Sequence, residues 1–189
     1  MLPQSATHHL MADDLHSYEA GFQTDYLLVD AVVTSSELRL SDHLNSSAPT
    51  VDVRPRFVRQ VRTGGLINLD GTCGELAKSS VLFVVPTSEP DRPHGPTNHA
   101  WKKTKLRECW IAMGAYVIKG TVHSDVGNDA RIAVRSLNKQ FMAVTDAVVT
   151  DPSGDSQQHS ILIVNRNRVD LLVVDDASSG GQRKGVSHR

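Results

Sequence analysis

Apolar residues recur at every second position over several short stretches of this chain, the period of a strand that buries one face. Val51 and Val53 alternate with polar neighbours within Thr50 to Val58, and Met142, Val144 and Val148 do so within Phe141 to Thr150. Tyr26 to Val33 and Tyr116 to His123 are similar in character and both predict strands. Two other stretches, Ser80 to Val85 and Ser160 to Val164, hold continuous apolar runs, the pattern of a strand covered on both faces.

A polar break and a short helical phrase follow each of the first strands. One phrase is Arg39-Leu40-Ser41-Asp42-His43-Leu44-Asn45, the other Arg131-Ile132-Ala133-Val134-Arg135-Ser136-Leu137-Asn138. Leu40 and Leu44, like Ala133 and Leu137, stack on one face of a single turn or two. Asn45 and Asn138 stand where a left-handed C-cap residue would stop the turn.

The order strand, helical turn, strand, strand therefore occurs twice. It predicts a mostly β fold: two tandem small bent-sheet or partial-barrel repeats, each with one short helical turn, packed with pseudo-twofold symmetry. The expected boundaries are a disordered N-terminal segment at 1–20, repeat 1 at 21–86, a Pro-rich linker at 87–105, repeat 2 at 106–176 and a disordered tail at 177–189. A copy of about 70 residues is marginal by itself, so the two need each other's core.

The copies differ in their links. Between its second and third strands the first copy runs through Gly64-Gly65 and Asp70-Gly71-Thr72-Cys73-Gly74, where the second has the compact turn Asp151-Pro152-Ser153-Gly154-Asp155. The second copy continues through Asn165-Arg166-Asn167-Arg168 into Val169 to Val174, which reads as a further hairpin. The first copy is expected to lack that return strand, because Pro86, Pro90, Pro93 and Pro96 mark a linker there.

The phrase R-L-S-D-x-L-N at Arg39 to Asn45, between a strand and an alternating strand, resembles a motif of uncharacterised bacterial domains of unknown function, here in two diverged copies. Val164-Asn165-Arg166 followed by Val169 fits the same resemblance, while the second copy departs from it with Ala133-Val134 in place of Ser-Asp. The resemblance implies no activity, cofactor or catalytic residue.

Composition narrows the function classes. Apolar residues are 39% of the 189 and charged residues 22%, a globular balance. The 20 Lys+Arg against 21 Asp+Glu leave a formal charge of −1, so no global basic field draws the chain to nucleic acid or an anionic membrane. No apolar run approaches the ~20 residues that span a bilayer. Met1 to Met11 lacks both Lys and Arg and leads into no long apolar run, so it does not read as a secretory signal, and the expected compartment is the cytoplasm. Cys73 and Cys109 are expected as unpaired thiols there.

No catalytic signature stands out. His94, His99 and Cys109 flank the Pro-rich stretch with Cys73 upstream, but they lack the close Cys pairs of a zinc site, and metal binding there is left open. Neither a G-x-S-x-G elbow nor a phosphate-cradling glycine loop is present. Asp146 follows Val144 and precedes Val148, so alternation aims it inward, paired to a turn or to Arg131 or Arg135. The most distinctive local feature is Arg54, Arg56, Arg59 and Arg62 along one strand, a candidate partner-binding stripe or the charged guard of an edge strand.

These features predict a non-enzymatic binding or assembly module, self-associating or binding a protein partner through strand edges, with no cofactor. An enzyme with a site at the junction of the repeats, using His123, Asp146 or the arginines of the helical phrases, is the alternative. So is a weak nucleic-acid or phosphate binder using the Arg54 to Arg62 strand, although aromatics at 5% of the chain offer few stacking platforms.

Overall fold

The computed structural model describes residues 15–88, 104–125 and 139–175. They form one antiparallel sheet of eleven strands. In chain order these are β1 (His16–Thr24), β2 (Leu27–Ser35), β3 (Thr50–Gln60), β4 (Leu66–Asn68), β5 (Gly74–Ala77), β6 (Val81–Pro86), β7 (Thr104–Met113), β8 (Tyr116–Asp125), β9 (Phe141–Thr150), β10 (Ser156–Asn165) and β11 (Leu171–Val174). One five-residue helix, α1 (Leu40–Leu44), lies between β2 and β3, and single 3-10 turns precede β6 and β11. The spatial order is β11-β7-β8-β9-β10-β6-β1-β2-β3-β4, with β5 on the remaining length of β3. The mostly β expectation is met, as one open sheet and not as closed barrels.

β1 extends the ordered region further than the alternating runs suggest. Residues 16–20, placed by sequence in a disordered lead, form the first half of β1, with Tyr18, Ala20 and Phe22 buried. Thr24 closes the β1–β2 hairpin by accepting from the amides of Tyr26 (3.2 Å) and Leu27 (2.9 Å). Residues 104 and 105, placed in the linker, open β7, while 89–103 and 176–189 lie outside the described residues, as do Asn138 and the rest of the second helical phrase.

Two cores result. Core one gathers Tyr18, Phe22, Val33, Leu44 and Val51 with Phe141 and Ile163, and core two gathers Ile111, Met113, Ile118, Val144 and Leu162 with Leu82 and Phe83. β6 and β10 stand between them: Val84 pairs Ile163 toward core one, and Phe83 pairs Val164 toward core two. That double burial is why both strands carry continuous apolar runs.

Two readings of connectivity are corrected. β11 does not pair β10 as a hairpin; it lies against β7 at the end of the sheet. The first half does have a return strand, since β6 lies against β1 as β11 does against β7. The two apolar runs matched by sequence, β6 and β10, are thus each other's neighbours. The period-two match fails here because it registers burial and cannot tell which strand supplies it.

Local backbone explains two further differences. Asn45 ends α1 at φ −87°, not in the left-handed region. In β9 the left-handed residue is Asp146 (φ 50°), at a register slip between β8 and β9. This bulge shifts the alternation, so Val144, Ala147 and Val149 face core two while Asp146 is exposed, opposite to the inward position predicted for it. Gly120 faces the bulge because a Cβ there would stand 2.5 Å from Val144 Cγ1 and 3.1 Å from the Thr145 carbonyl oxygen.

Candidate functional site

The junction of the halves is the most heavily bonded part of the molecule. Asn165, fully buried at the end of β10, donates from Nδ2 to the carbonyls of Lys78 (3.0 Å) and Val81 (2.8 Å). Its Oδ1 accepts from the Asn167 amide, so the side chain's donors and acceptor are engaged. From the other half, Asn45 donates Nδ2 to the Phe141 carbonyl and accepts from the Phe141 amide, both at 2.9 Å. That pair of bonds mimics a residue of a neighbouring strand. Asp42 meets Lys139 at 3.0 Å, and Arg168 reaches across to the Ser79 carbonyl at 2.9 Å and to Asp25.

The phrases that carry the family resemblance, R-L-S-D-x-L-N and V-N-R, therefore contain the two asparagines that clamp the halves. The sequence pattern assigns Asn45 only a cap and gives Asn165 no role. A signal is nevertheless there: each Asn follows an aliphatic residue and sits where a periodic segment stops.

Lys78 lies under α1, 3% exposed, donating from Nζ to the Ser46 carbonyl (2.9 Å) and hydroxyl (3.0 Å). Burial lowers its pKa from the usual lysine value. His43 beside it is lowered as well, first by burial and then by the charge of Lys78.

The arginine stripe lies on a face of mixed sign. β3 is flanked by β2 on one side and by β5 and then β4 on the other, with Arg54, Pro55 and Arg56 in the interval between the latter two. Arg56 Nε donates to Asp30 Oδ1 at 2.6 Å, and its Nη1 stands 3.3 Å from Glu19 Oε1. The Asp30 hydrogen bond and charge raise the Arg56 pKa further. Arg62 stacks over the Tyr26 ring at 5.9 Å, and Arg59 is exposed opposite Leu28. Arg54 opens onto an open cleft of about 470 Å³ that Asp52, Cys73 and Glu75 also line. Arg54, Arg56 and Arg59 thus share the outer face with carboxylates, and Arg62 stands apart at the turn.

The remaining candidates do not converge. His123 is exposed on β8 opposite Leu106, and Asp146 is exposed at the β9 bulge. Cys73 is exposed, whereas Cys109 is buried in core two, where burial raises its thiol to about 11; neither is disulfide-bonded. His94, His99, Arg131 and Arg135 lie outside the described residues. Among the described residues no helix is long and apolar enough to cross a membrane.

The ends of the sheet differ from the junction. β11 bears Leu171 (58% exposed) and Val173 (48%) on its outer face. Across the pairing register, Val173 stands opposite Trp110 (49% exposed) and Leu171 opposite Ala112, which in turn faces Val117 (44%). At the other end β4 exposes Leu66 and Ile67, and β5 presents Glu75. Comparison with family models, curated proteins and solved structures finds no match to this chain.

Proposed function

We propose that the chain is a non-enzymatic binding or assembly module, made of two diverged copies of one five-strand motif and associating through strand edges. The duplication is supported by the pairing scheme. In each half the first strand pairs the second, the second pairs the third, and the third pairs the strand that leads into a 3-10 turn. The strand after that turn lies against the first.

The assembly reading rests on one observation: the apolar strand β11 ends the sheet with Leu171 and Val173 uncovered. Soluble proteins usually blunt such an edge with charge, proline or a bulge, and Leu171 to Val174 has neither charge nor proline. Its chemistry is recognition by backbone pairing, with side chains setting the register. Light scattering on the intact protein across a dilution series tests this, with a concentration-dependent oligomer expected. A strict monomer throughout overturns it.

A further inference from the structure

We propose that a second copy of this chain occupies the β11 edge, its own β11 running antiparallel about a twofold axis to continue the sheet from one molecule into the next. This deepens the assembly reading and rests on it.

The chain contains a template for what covers such a strand. β6 occupies the same place in the first half as β11 in the second. Counting from the hairpins, Gln23 on β1 pairs Phe83, and Ala112 on β7, likewise two positions before its turn, pairs Leu171. Phe83 points away from core one and is nevertheless 5% exposed, because β10 lies beyond β6 and Tyr116 meets its ring edge-on at 5.3 Å. Leu171 points away from core two in the same manner and has no strand beyond it among those described. A strand built like a covered one is left at an edge.

Two kinds of second copy could cover it, and the seam discriminates between them. Head-to-tail stacking would lay the β5 edge of the next molecule on β11, as β10 lies on β6. β5 is chemically unfit for that: Glu75 stands where β10 has Ile163, and Ala77 stands where it has the clamp Asn165. Repeating the seam there would drive a carboxylate against Leu172 without a clamp to offset it. β11 against β11 meets no such obstacle, and a twofold contact closes on itself where a head-to-tail one propagates.

The register follows from the pleat. Residues opposite each other must share a face, so the twofold must fall on a residue and not between two. Centred on Leu172, it sets Leu172 against Leu172 and each Leu171 against Val173 of the second copy, so that like faces meet along the whole strand. Asp170 then stands opposite Val174 and not opposite an acid, and its carboxylate is already occupied by the Gly114 amide at 2.7 Å. Centring on Val173 instead sets Leu171 against Asp175.

The register makes a reciprocal test possible with the intact chain. Leu171→Lys and Val173→Glu are made separately, at positions exposed enough to leave the fold unchanged by circular dichroism, and sedimentation is followed over a dilution series. Each variant alone places two charges against apolar partners, and its dimer dissociation constant should rise at least about 100-fold over wild type. An equimolar mixture sets the introduced lysine of one variant against the introduced glutamate of the other at one contact and Val173 against Leu171 at the second, and should recover dimer to within about 10-fold of wild type. Variants that dimerise like wild type, or a mixture that stays monomeric, overturn this pairing while the assembly reading stands. A wild-type chain that is monomeric throughout overturns both.

Discussion

β6 and β11 each follow a 3-10 turn and lie against the first strand of their half, yet one is buried on both faces and the other is half bare. Both are apolar along their length. Position in the sheet, and not composition, decides the difference: β6 has β1 on one side and β10 on the other, whereas β11 has β7 alone. The same contrast holds for chemistry. The β6–β10 seam is held by asparagine side chains with their hydrogen-bond capacity used, while the β11 edge offers only backbone groups and aliphatic surface.

The sharpest way to break this contrast is to truncate corresponding residues. Phe83→Ala removes a ring buried between the two halves and should cost about 3–5 kcal/mol in chemical denaturation. Leu171→Ala, measured at concentrations where the chain is monomeric, should fall within about 0.5 kcal/mol of wild type. Equal losses at the two positions would mean that β11 is as covered as β6.

The clamp comes next. Asn165→Ala strands the carbonyls of Lys78 and Val81 and the Asn167 amide in a buried site, an expected cost of about 2–3 kcal/mol. If that variant unfolds at the wild-type denaturant midpoint, the seam is held by apolar contact alone.

Gly120→Ala asks whether the β8–β9 bulge is as tightly built as the seam. Its new methyl meets Val144 and the backbone of Thr145 and Ala147, and should destabilise by about 1–3 kcal/mol through overpacking. Thermal unfolding checks this, and a neutral result would show that the bulge relaxes.

The smallest effect concerns pH. His43 packs beside the seam with its pKa held below 6.5, so the unfolded chain takes up its proton more readily than the folded one. The neutral imidazole's contribution is complete above 6.5 and is lost as pH falls through the folded value. His43→Gln should flatten that part of the stability profile, leaving the share due to His159, which burial also lowers. An unchanged slope in the variant would remove His43 from the acid response.

Much of the strand content is legible in the sequence because alternation and continuous apolar runs record burial directly. Thr50 to Val58, Phe141 to Thr150 and the Asp151–Asp155 turn stand where expected, the turn held by Asp151 accepting from the amides of Ser153 (2.9 Å) and Asp155 (3.0 Å). The alternation of Tyr18, Ala20 and Phe22 is equally present, but the irregular residues before it hide a signal only three positions long. Asp146 is misplaced for a different reason, since a bulge inserts one residue into the ladder and reverses the facing of all that follow.

By itself the sequence determined which residues want to be buried, that strands dominate, and that two helical phrases end in asparagine. Only the tertiary structure decided which strands are neighbours, because the period of a strand carries no label for its partner. Asn45 and Asn165 became clamps, Arg56 an ion pair with Asp30 and Glu19, and β11 an edge through contacts between residues far apart in the chain. Such contacts depend on the register of the whole sheet.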